Sequence, residues 1–168
     1  RIANVGFNVA DIVRLLREAK DEGVQILVFP EMAVTGYTIG DLVQQEALLQ
    51  EAQRGLSDIL KESVGSNILV TVGMPLPLDE KIFNCAVVMN SGSILGVIPK
   101  TLLPTYREFY EDRWFSPARD ARTETIELAG EKVPFGTDIL FQLQRTTPVL
   151  VGVEVCEDLW VPLSPHEY

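Results

Sequence analysis

Histidine and cysteine are scarce in this chain, which has one histidine, His166, and two cysteines, Cys85 and Cys156, among its 168 residues. Two cysteines make no disulfide framework, and with one histidine at these spacings they form no recognisable zinc site. His166 stands in a proline-rich tail, which makes it a poor partner for a cysteine–histidine pair. A reactive cysteine here must therefore take its base from a carboxylate and its charge partner from a lysine.

The chain also has few positively charged residues and no long apolar run. The chain has 14 lysine and arginine residues against 24 aspartate and glutamate residues, for a formal net charge of -10. Such an acidic surface repels polyanions, which argues against nucleic acid or an anionic membrane as a partner. The longest apolar runs are a handful of residues, too short to span a bilayer. With so few cysteines, the cytoplasm is the expected location.

The apolar residues that are present, 46% of the chain, suffice for the core of one globular domain. Their spacing predicts a helix capped by Asn8 and a second helix from about 41 to 63. It also predicts a hairpin around a turn at 90–93. The predicted strands are 24–29, 67–73, 82–89, 94–98, 124–128, 138–143 and 149–155. Helices alternating with strands, mixed with a hairpin, predict an α/β fold with a mixed sheet.

The first and last of the main predicted strands look fully buried. Residues 24–29 form a continuous apolar run, and residues 149–155 are apolar on both sides, which is typical of a central strand. Further elements should follow a central strand in order to cover it. We therefore expect this sequence to be an incomplete domain.

Three polar residues come directly after predicted strands: Glu31 in VFPEM, Lys100 in VIPKT and Cys156 in VEVCED. In an open α/β sheet, ligands bind at the rim where strands end. Each residue also has an ordinary explanation, as a solvated carboxylate, a solvated lysine or a packed thiol. The loop after Lys100 is dense in aromatic residues, however, and surface loops seldom carry so many rings unless they fold over something.

The immediate neighbours of Cys156 are acidic. Glu154, Glu157 and Asp158 surround it, and nearby negative charge raises the pKa of a thiol, the wrong direction for a reactive cysteine. Either Cys156 is inert or its catalytic partners lie elsewhere in the chain. Glu31 and Lys100 are the two residues whose positions at strand exits match that of Cys156.

The motifs FPEM, PKTLLP and VEVCEDLW together resemble the Glu-Lys-Cys signature of the nitrilase, or carbon-nitrogen hydrolase, superfamily. The longer stretches GYTIGDLVQQEALL, PKTLLPTYREFYEDRWF and EVCEDLWVP are similar to the glutaminase domain of glutamine-dependent NAD synthetases, over most of residues 8 to 163. In that family a strand precedes Asn8 and further strand-helix units follow Tyr168. The resemblance thus implies that 1–168 is a carbon-nitrogen hydrolase (glutaminase) domain lacking its first strand, its C-terminal part and the ATP-dependent synthetase domain.

The resemblance implies a nitrilase-like αββα sandwich in which Glu31, Lys100 and Cys156 converge. Glu31 would be the general base and Cys156 the nucleophile. Lys100, with the backbone N–H of Glu157, would stabilise the oxyanion.

Substrate contacts are implied in the same way. Tyr106 and Glu157 look like residues that bind the substrate, since a carboxylate suits the α-ammonium group of glutamine. Glu108 looks like the superfamily's second glutamate, which positions the lysine and contacts the substrate.

The function implied is a glutamine amidohydrolase that releases ammonia through a cysteine thioester. The ammonia would serve ATP-dependent amidation of nicotinate adenine dinucleotide to NAD by the synthetase domain. No cofactor is expected in this domain, ATP and Mg²⁺ belonging to the synthetase domain, and a homo-oligomer is expected. Two alternatives remain open: a free-standing amidase of the superfamily acting on another small amide, and a non-catalytic module in which Cys156 is a buried core thiol.

Overall fold

Two amphipathic helices cover one face of the main sheet in this computed structural model, which describes residues 1–144 and 147–167. Helix α1 spans Val5–Asp21 and helix α2 spans Glu46–Ser63. The prediction of Asn8 as the first helix cap is wrong, because the helix begins one turn earlier. Asn4 is the cap and its side chain accepts a hydrogen bond from the N–H of Phe7. Asn8 is buried inside the helix and donates to the carbonyl of Val34.

The main sheet has four strands in the order β1-β2-β3-β4. Strand β1 is parallel to β2, and the other neighbours are antiparallel, which confirms the predicted mixed sheet. The predicted turn between β3 and β4 is also confirmed. Ser91 and Gly92 both have positive φ, as a two-residue turn of this type requires. The strands are β1 Ile26–Val28, β2 Leu69–Leu78, β3 Lys81–Asn90 and β4 Ser93–Pro99.

The prediction that residues 24–29 form a fully buried strand is wrong. Strand β1 has three residues and stands at the end of the sheet order. Its side chains alternate between faces, so Leu27 packs on the helix side while Val28 points away and is 68% exposed. An apolar run identifies the strand but does not show which of its faces is covered.

The hydrophobic core lies on both faces of the sheet. Along β3, Phe83 and Cys85 belong to the cluster under the helices, whereas Ala86 and Val88 belong to a cluster on the opposite face. The prediction that Cys85 is a core thiol is confirmed by its burial. Phe141 covers part of the opposite face and packs there against Ala86 and Val88.

Two small hairpins follow the main sheet. They consist of β5 Thr125–Leu128 with β6 Glu131–Pro134, and of β7 Phe141–Leu143 with β8 Val149–Val151. Strand β6 was not predicted. The prediction of a central strand at 149–155 is wrong: β8 has three residues, pairs with β7 and leaves Leu150 61% exposed.

Five short 3₁₀ helices complete the described elements, at Gly40–Gln44, Glu111–Arg113, Ala118–Asp120, Cys156–Leu159 and Pro165–Glu167. Two of them, Glu111–Arg113 and Cys156–Leu159, carry residues of the site described below. Over the part of the chain that the structure describes, we find no helix of the length and apolarity needed to cross a membrane.

Candidate active site

The three polar residues that follow strands come together at one rim of the sheet. Lys100 follows β4 directly, Glu31 lies in the turn after β1, and Cys156 begins the 3₁₀ helix Cys156–Leu159. The Nζ atom of Lys100 is 2.8 Å from Oε1 of Glu31. Glu31 and Cys156 line one cavity of about 300 Å³. The carboxylate thus contacts the lysine directly and lines the same cavity as the thiol.

Lys100 is completely buried, which is rare for a lysine and requires compensation by opposite charge. Two carboxylates supply it: Oε1 of Glu31 at 2.8 Å and Oε1 of Glu111 at 2.7 Å from Nζ. Burial by itself would lower the pKa of Lys100, but the hydrogen bonds to Glu111 and Glu31 outweigh burial and raise it. Lys100 therefore stays positively charged at neutral pH.

Glu111 is the second glutamate beside the lysine, a position that the sequence motifs did not indicate. The residue is 1% exposed, and its side chain accepts hydrogen bonds from Lys100 Nζ and from the hydroxyl of Tyr37. Burial raises the pKa of Glu111, while the bonds from Lys100 and Tyr37 oppose that rise. The pKa of Tyr37 is raised by its own burial and by the hydrogen bond to Glu111.

The prediction that Glu108 positions the lysine is wrong. Glu108 is exposed, and the contact with Lys100 belongs to Glu111, one 3₁₀ turn further along the same loop. Glu108 does line a small cavity of about 140 Å³ together with Tyr37 and Glu111. Its suggested contact with substrate stays a prediction.

Glu31 also bonds Asn84 of β3, a second site residue that was not predicted from the sequence. The side-chain amide of Asn84 donates to Oε1 of Glu31, and the backbone carbonyl of Asn84 accepts from the N–H of Lys100 at 2.8 Å. Asn84 is buried, so these bonds form away from water. The sequence signal was present: Asn84 is the one polar residue within the apolar run IFNCAVVM.

The turn that carries Glu31 lies directly against strand β2. A Cβ atom added to Gly73 would lie 2.4 Å from the backbone nitrogen of Met32 and 2.6 Å from the carbonyl oxygen of Pro30. Both distances are well inside van der Waals contact, and both neighbours are backbone atoms. Glycine at position 73 is therefore what allows the Glu31 turn to pack on the sheet.

Cys156 is exposed and has φ of +51°, a left-handed conformation that is uncommon for residues other than glycine. Partial burial and the charges of Glu31, Glu111 and Glu157 raise the pKa of its thiol, and Lys100 opposes this rise. The direction agrees with the prediction, although burial contributes more than the acidic neighbours. Because Cys156 is exposed, the alternative of a buried core thiol at this position is wrong.

Two predicted substrate contacts, Tyr106 and Glu157, meet at the surface next to Cys156. The hydroxyl of Tyr106 donates to Oε2 of Glu157 at 2.9 Å, and the Tyr106 ring packs edge-on against Phe109. The pair brings a carboxylate and aromatic rings next to the turn of Cys156. In residues 1–144 and 147–167, no cluster of three or more histidine, cysteine, aspartate or glutamate side chains is placed to hold a metal ion.

Strands that end at one rim of an α/β fold place a buried lysine between two glutamates and beside an exposed cysteine. The sequence profile of the family described as carbon-nitrogen hydrolase matches residues 3–168, and the chain belongs to that family. The match covers nearly the whole chain and includes Glu31, Lys100 and Cys156.

Within this family, the chain is similar to glutamine-dependent NAD(+) synthetases. The chain is 40% identical over 164 residues to the glutamine-dependent NAD(+) synthetase of Mycobacterium tuberculosis, covering 98% of this chain and 24% of that protein. A crystal structure of a glutamine-dependent NAD(+) synthetase from Cytophaga hutchinsonii superposes with a TM-score of 0.84 at 29% identity, covering 94% of this chain and 26% of that one. The chain thus spans about a quarter of the length of the curated relatives it matches.

An amidase from Nesterenkonia sp. has the same fold with lower similarity. It superposes with a TM-score of 0.69 at 20% identity, and the match covers 96% of this chain and 54% of the amidase chain. The nitrilase-like α/β fold predicted from the sequence is confirmed by these neighbours together with the family match.

Proposed function

We propose that this chain is the glutaminase part of a glutamine-dependent NAD synthetase and that Glu31, Lys100 and Cys156 are its catalytic residues. The observation that carries the proposal is the completely buried Lys100, bonded to Glu31 and Glu111, where Glu31 shares a cavity with Cys156. A buried lysine held by two carboxylates beside a thiol is costly to fold and suits a site that must stabilise negative charge. The 40% identity to a protein of that name supports the choice of substrate.

In the first step, the Cys156 sulfur attacks the side-chain carbonyl carbon of glutamine while its proton passes to Glu31. The raised pKa of the Cys156 thiol means that the thiol carries its proton at neutral pH before substrate arrives. A base is therefore needed, and Glu31 lines the same cavity. Asn84 and Lys100 both bond Oε1 of Glu31, which leaves Oε2 to accept the proton.

Lys100 stabilises the oxyanion that forms when sulfur adds to the carbonyl. An ammonium group has three N–H donors, and the bonds to Glu31 and Glu111 use two of them. We propose that the third donates to the oxyanion, together with the backbone N–H of Glu157. One well-placed donor of this kind contributes roughly 3 to 4 kcal/mol to catalysis.

The intermediate then collapses, and the carbon-nitrogen bond breaks as Glu31 returns its proton to the departing nitrogen. Ammonia leaves and a thioester joins Cys156 to the glutamyl group. Water attacks the thioester with Glu31 again acting as base, and Glu31 then returns that proton to the departing sulfur, which releases glutamate and restores the thiol. The same carboxylate thus serves as base, acid, base and acid in turn.

Recognition of glutamine falls to Tyr106, Glu157 and Glu108. The hydrogen bond from Tyr106 fixes the Glu157 carboxylate next to the Cys156 turn, where it can pair with the α-ammonium group of the substrate. Glu108 lines the neighbouring cavity with Tyr37 and Glu111.

In the complete protein, we propose that the ammonia goes to an ATP- and Mg²⁺-using synthetase domain of the same polypeptide. That domain would amidate nicotinate adenine dinucleotide to NAD. Residues 1–168 would act as the glutaminase part of a cytoplasmic homo-oligomer.

The test measures ammonia released from glutamine, asparagine and simple aliphatic amides. We expect glutamine to have the highest kcat/KM, and we expect Cys156→Ala and Glu31→Gln to abolish release. The matched control is Glu51→Gln, which removes an exposed carboxylate of α2 and should leave the rate unchanged. If another amide has the higher kcat/KM, the glutaminase assignment is refuted in favour of the amidase alternative.

A further inference from the structure

We propose that Asp158 is a positioning residue. Its carboxylate connects two segments by hydrogen bonds: the turn that carries Cys156 and the residues that follow Lys100. The proposal rests on the proposed function, because it concerns the geometry between that nucleophile and that lysine. Asp158 does not contact the reacting atoms in this role. It acts through the backbone on either side of the site.

The contacts of Asp158 reach both halves of the site. Its Oδ1 accepts hydrogen bonds from the backbone N–H of Leu102 at 2.8 Å and of Thr101 at 3.2 Å. Its Oδ2 accepts from Thr101 at 3.1 Å and from the N–H of Val155 at 3.4 Å. Thr101 and Leu102 directly follow Lys100, and Val155 directly precedes Cys156. One side chain therefore ties together two segments that are far apart in sequence.

Asp158 is 1% exposed, so its bonds do not compete with bulk water. A buried carboxylate is costly unless its oxygens are bonded, and here both oxygens accept from backbone N–H groups. Neither of its neighbours Cys156 and Glu157 is fully buried, so the anchoring of this turn falls to Asp158.

The turn needs an anchor because Cys156 adopts φ of +51°, which an L-residue rarely does unless its surroundings hold it there. The N–H of Asp158 donates to the carbonyl of Val155 at 3.2 Å, while the Asp158 side chain accepts from the N–H of Val155. These two bonds close the turn around Cys156. Without them, we expect the cysteine to relax and its sulfur to move away from Lys100.

Asparagine and glutamate substitutions separate the possible roles. Asp158→Asn keeps the size but replaces one acceptor oxygen by an NH₂ group, which would face backbone N–H donors. Asp158→Glu keeps two acceptor oxygens on a longer side chain and should recover part of the function. Asp58→Asn is the matched control, since Asp58 is an exposed carboxylate of α2 paired with Lys61.

The experiment counts competent sites by the fraction of Cys156 labelled with a glutamine-like diazoketone, and then measures kcat and KM for glutamine per labelled site. For Asp158→Asn we expect kcat per site to fall on the order of 100-fold, the usual cost of a misplacement of about 1 Å, with KM little changed. We also expect the pKa of Cys156, read from the pH dependence of its alkylation by iodoacetamide, to rise in Asp158→Asn. The charge of Lys100 lowers the pKa of this thiol, and that effect weakens if the sulfur moves away from Lys100.

Several results would overturn the proposal. A kcat per site equal to wild type would do so, as would an unchanged pH profile of alkylation. Activity lost only in proportion to labelled sites, or an Asp158→Asn chain that does not fold even in the cold, would assign Asp158 to stability alone. If wild type releases no ammonia, the proposed function fails, and the alkylation profile, which needs no glutamine, still decides the role of Asp158.

Discussion

Replacing Lys100 by methionine removes the cation that Glu31 and Glu111 share. The Lys100 side chain is fully buried, and the Glu111 carboxylate bonded to it is nearly so. Loss of one partner from a buried ion pair costs roughly 3 to 5 kcal/mol, because the remaining charge stays buried without compensation. For a chain of this size, each kcal/mol lowers Tm by about 2 to 4 °C, so we expect Tm to fall by roughly 6 to 20 °C.

The stability lost in Lys100→Met should depend on pH, and the pKa of Glu111 determines in which direction. The pKa of Glu111 is already raised by burial, and Lys100 opposes that rise, so methionine raises it further. Stability linked to a raised pKa is fully present below the unfolded value and is lost as pH rises through the folded value. The deficit of the Lys100→Met variant should therefore be smaller in acid, where the folded variant binds a proton at Glu111, and largest above neutral pH.

The assay is thermal unfolding followed by circular dichroism at pH 5 and pH 8, for wild type, Lys100→Met and Lys61→Met. Lys61 makes an exposed pair with Asp58 on α2, and its removal should cost less than about 1 kcal/mol. The reasoning is refuted if Lys100→Met costs no more than Lys61→Met at pH 8. A deficit that is larger at pH 5 than at pH 8 would equally contradict it.

Three further predictions concern the surroundings of the site. Gly73→Ala should destabilise the chain by about 1 to 3 kcal/mol and slow catalysis, because its Cβ would collide with the backbone of the Glu31 turn. The control Gly6→Ala adds a Cβ with no atom within 4 Å and should stabilise helix α1 by up to about 1 kcal/mol. Urea unfolding of the two variants compares these free energies. Iodoacetamide should alkylate Cys156 alone in the folded chain and both cysteines in denaturant, since Cys85 is buried, and mass spectrometry would expose the error if Cys85 reacted in the native state. The alkylation rate of Cys156 should keep rising with pH beyond the range of an ordinary thiol, and Lys100→Met should move that rise to still higher pH; a plateau near neutral pH in wild type would mean that the thiolate is stabilised instead.

Periodicity and turn chemistry predicted most of the fold, because these signals are local. The sequence NSGS between two apolar runs is sufficient to predict the hairpin of β3 and β4, since Ser91 and Gly92 can adopt positive φ. Local signals could not predict the burial of a strand, because burial depends on which other elements pack against it. The run 24–29 and the run 149–155 both look buried in sequence, yet Val28 and Leu150 are exposed because packing covers only part of each strand.

The same distinction applies to the site. Glu31, Lys100 and Cys156 could be picked out because each follows a predicted strand and a run of apolar residues. Glu111 could not be separated from Glu108, since both are charged residues in one polar and aromatic loop. What distinguishes Glu111 is its burial against Lys100 and Tyr37, a tertiary contact that no local pattern encodes.

The most direct test of the central claim is intact-mass spectrometry after exposure of the chain to a glutamine-like diazoketone. Wild type should gain a single adduct that maps to Cys156, and Cys156→Ala and Glu31→Ala should gain none. That result would identify the nucleophile, its carboxylate base and the recognition of glutamine together. A wild-type chain that circular dichroism shows to be folded and that gains no adduct would contradict the account.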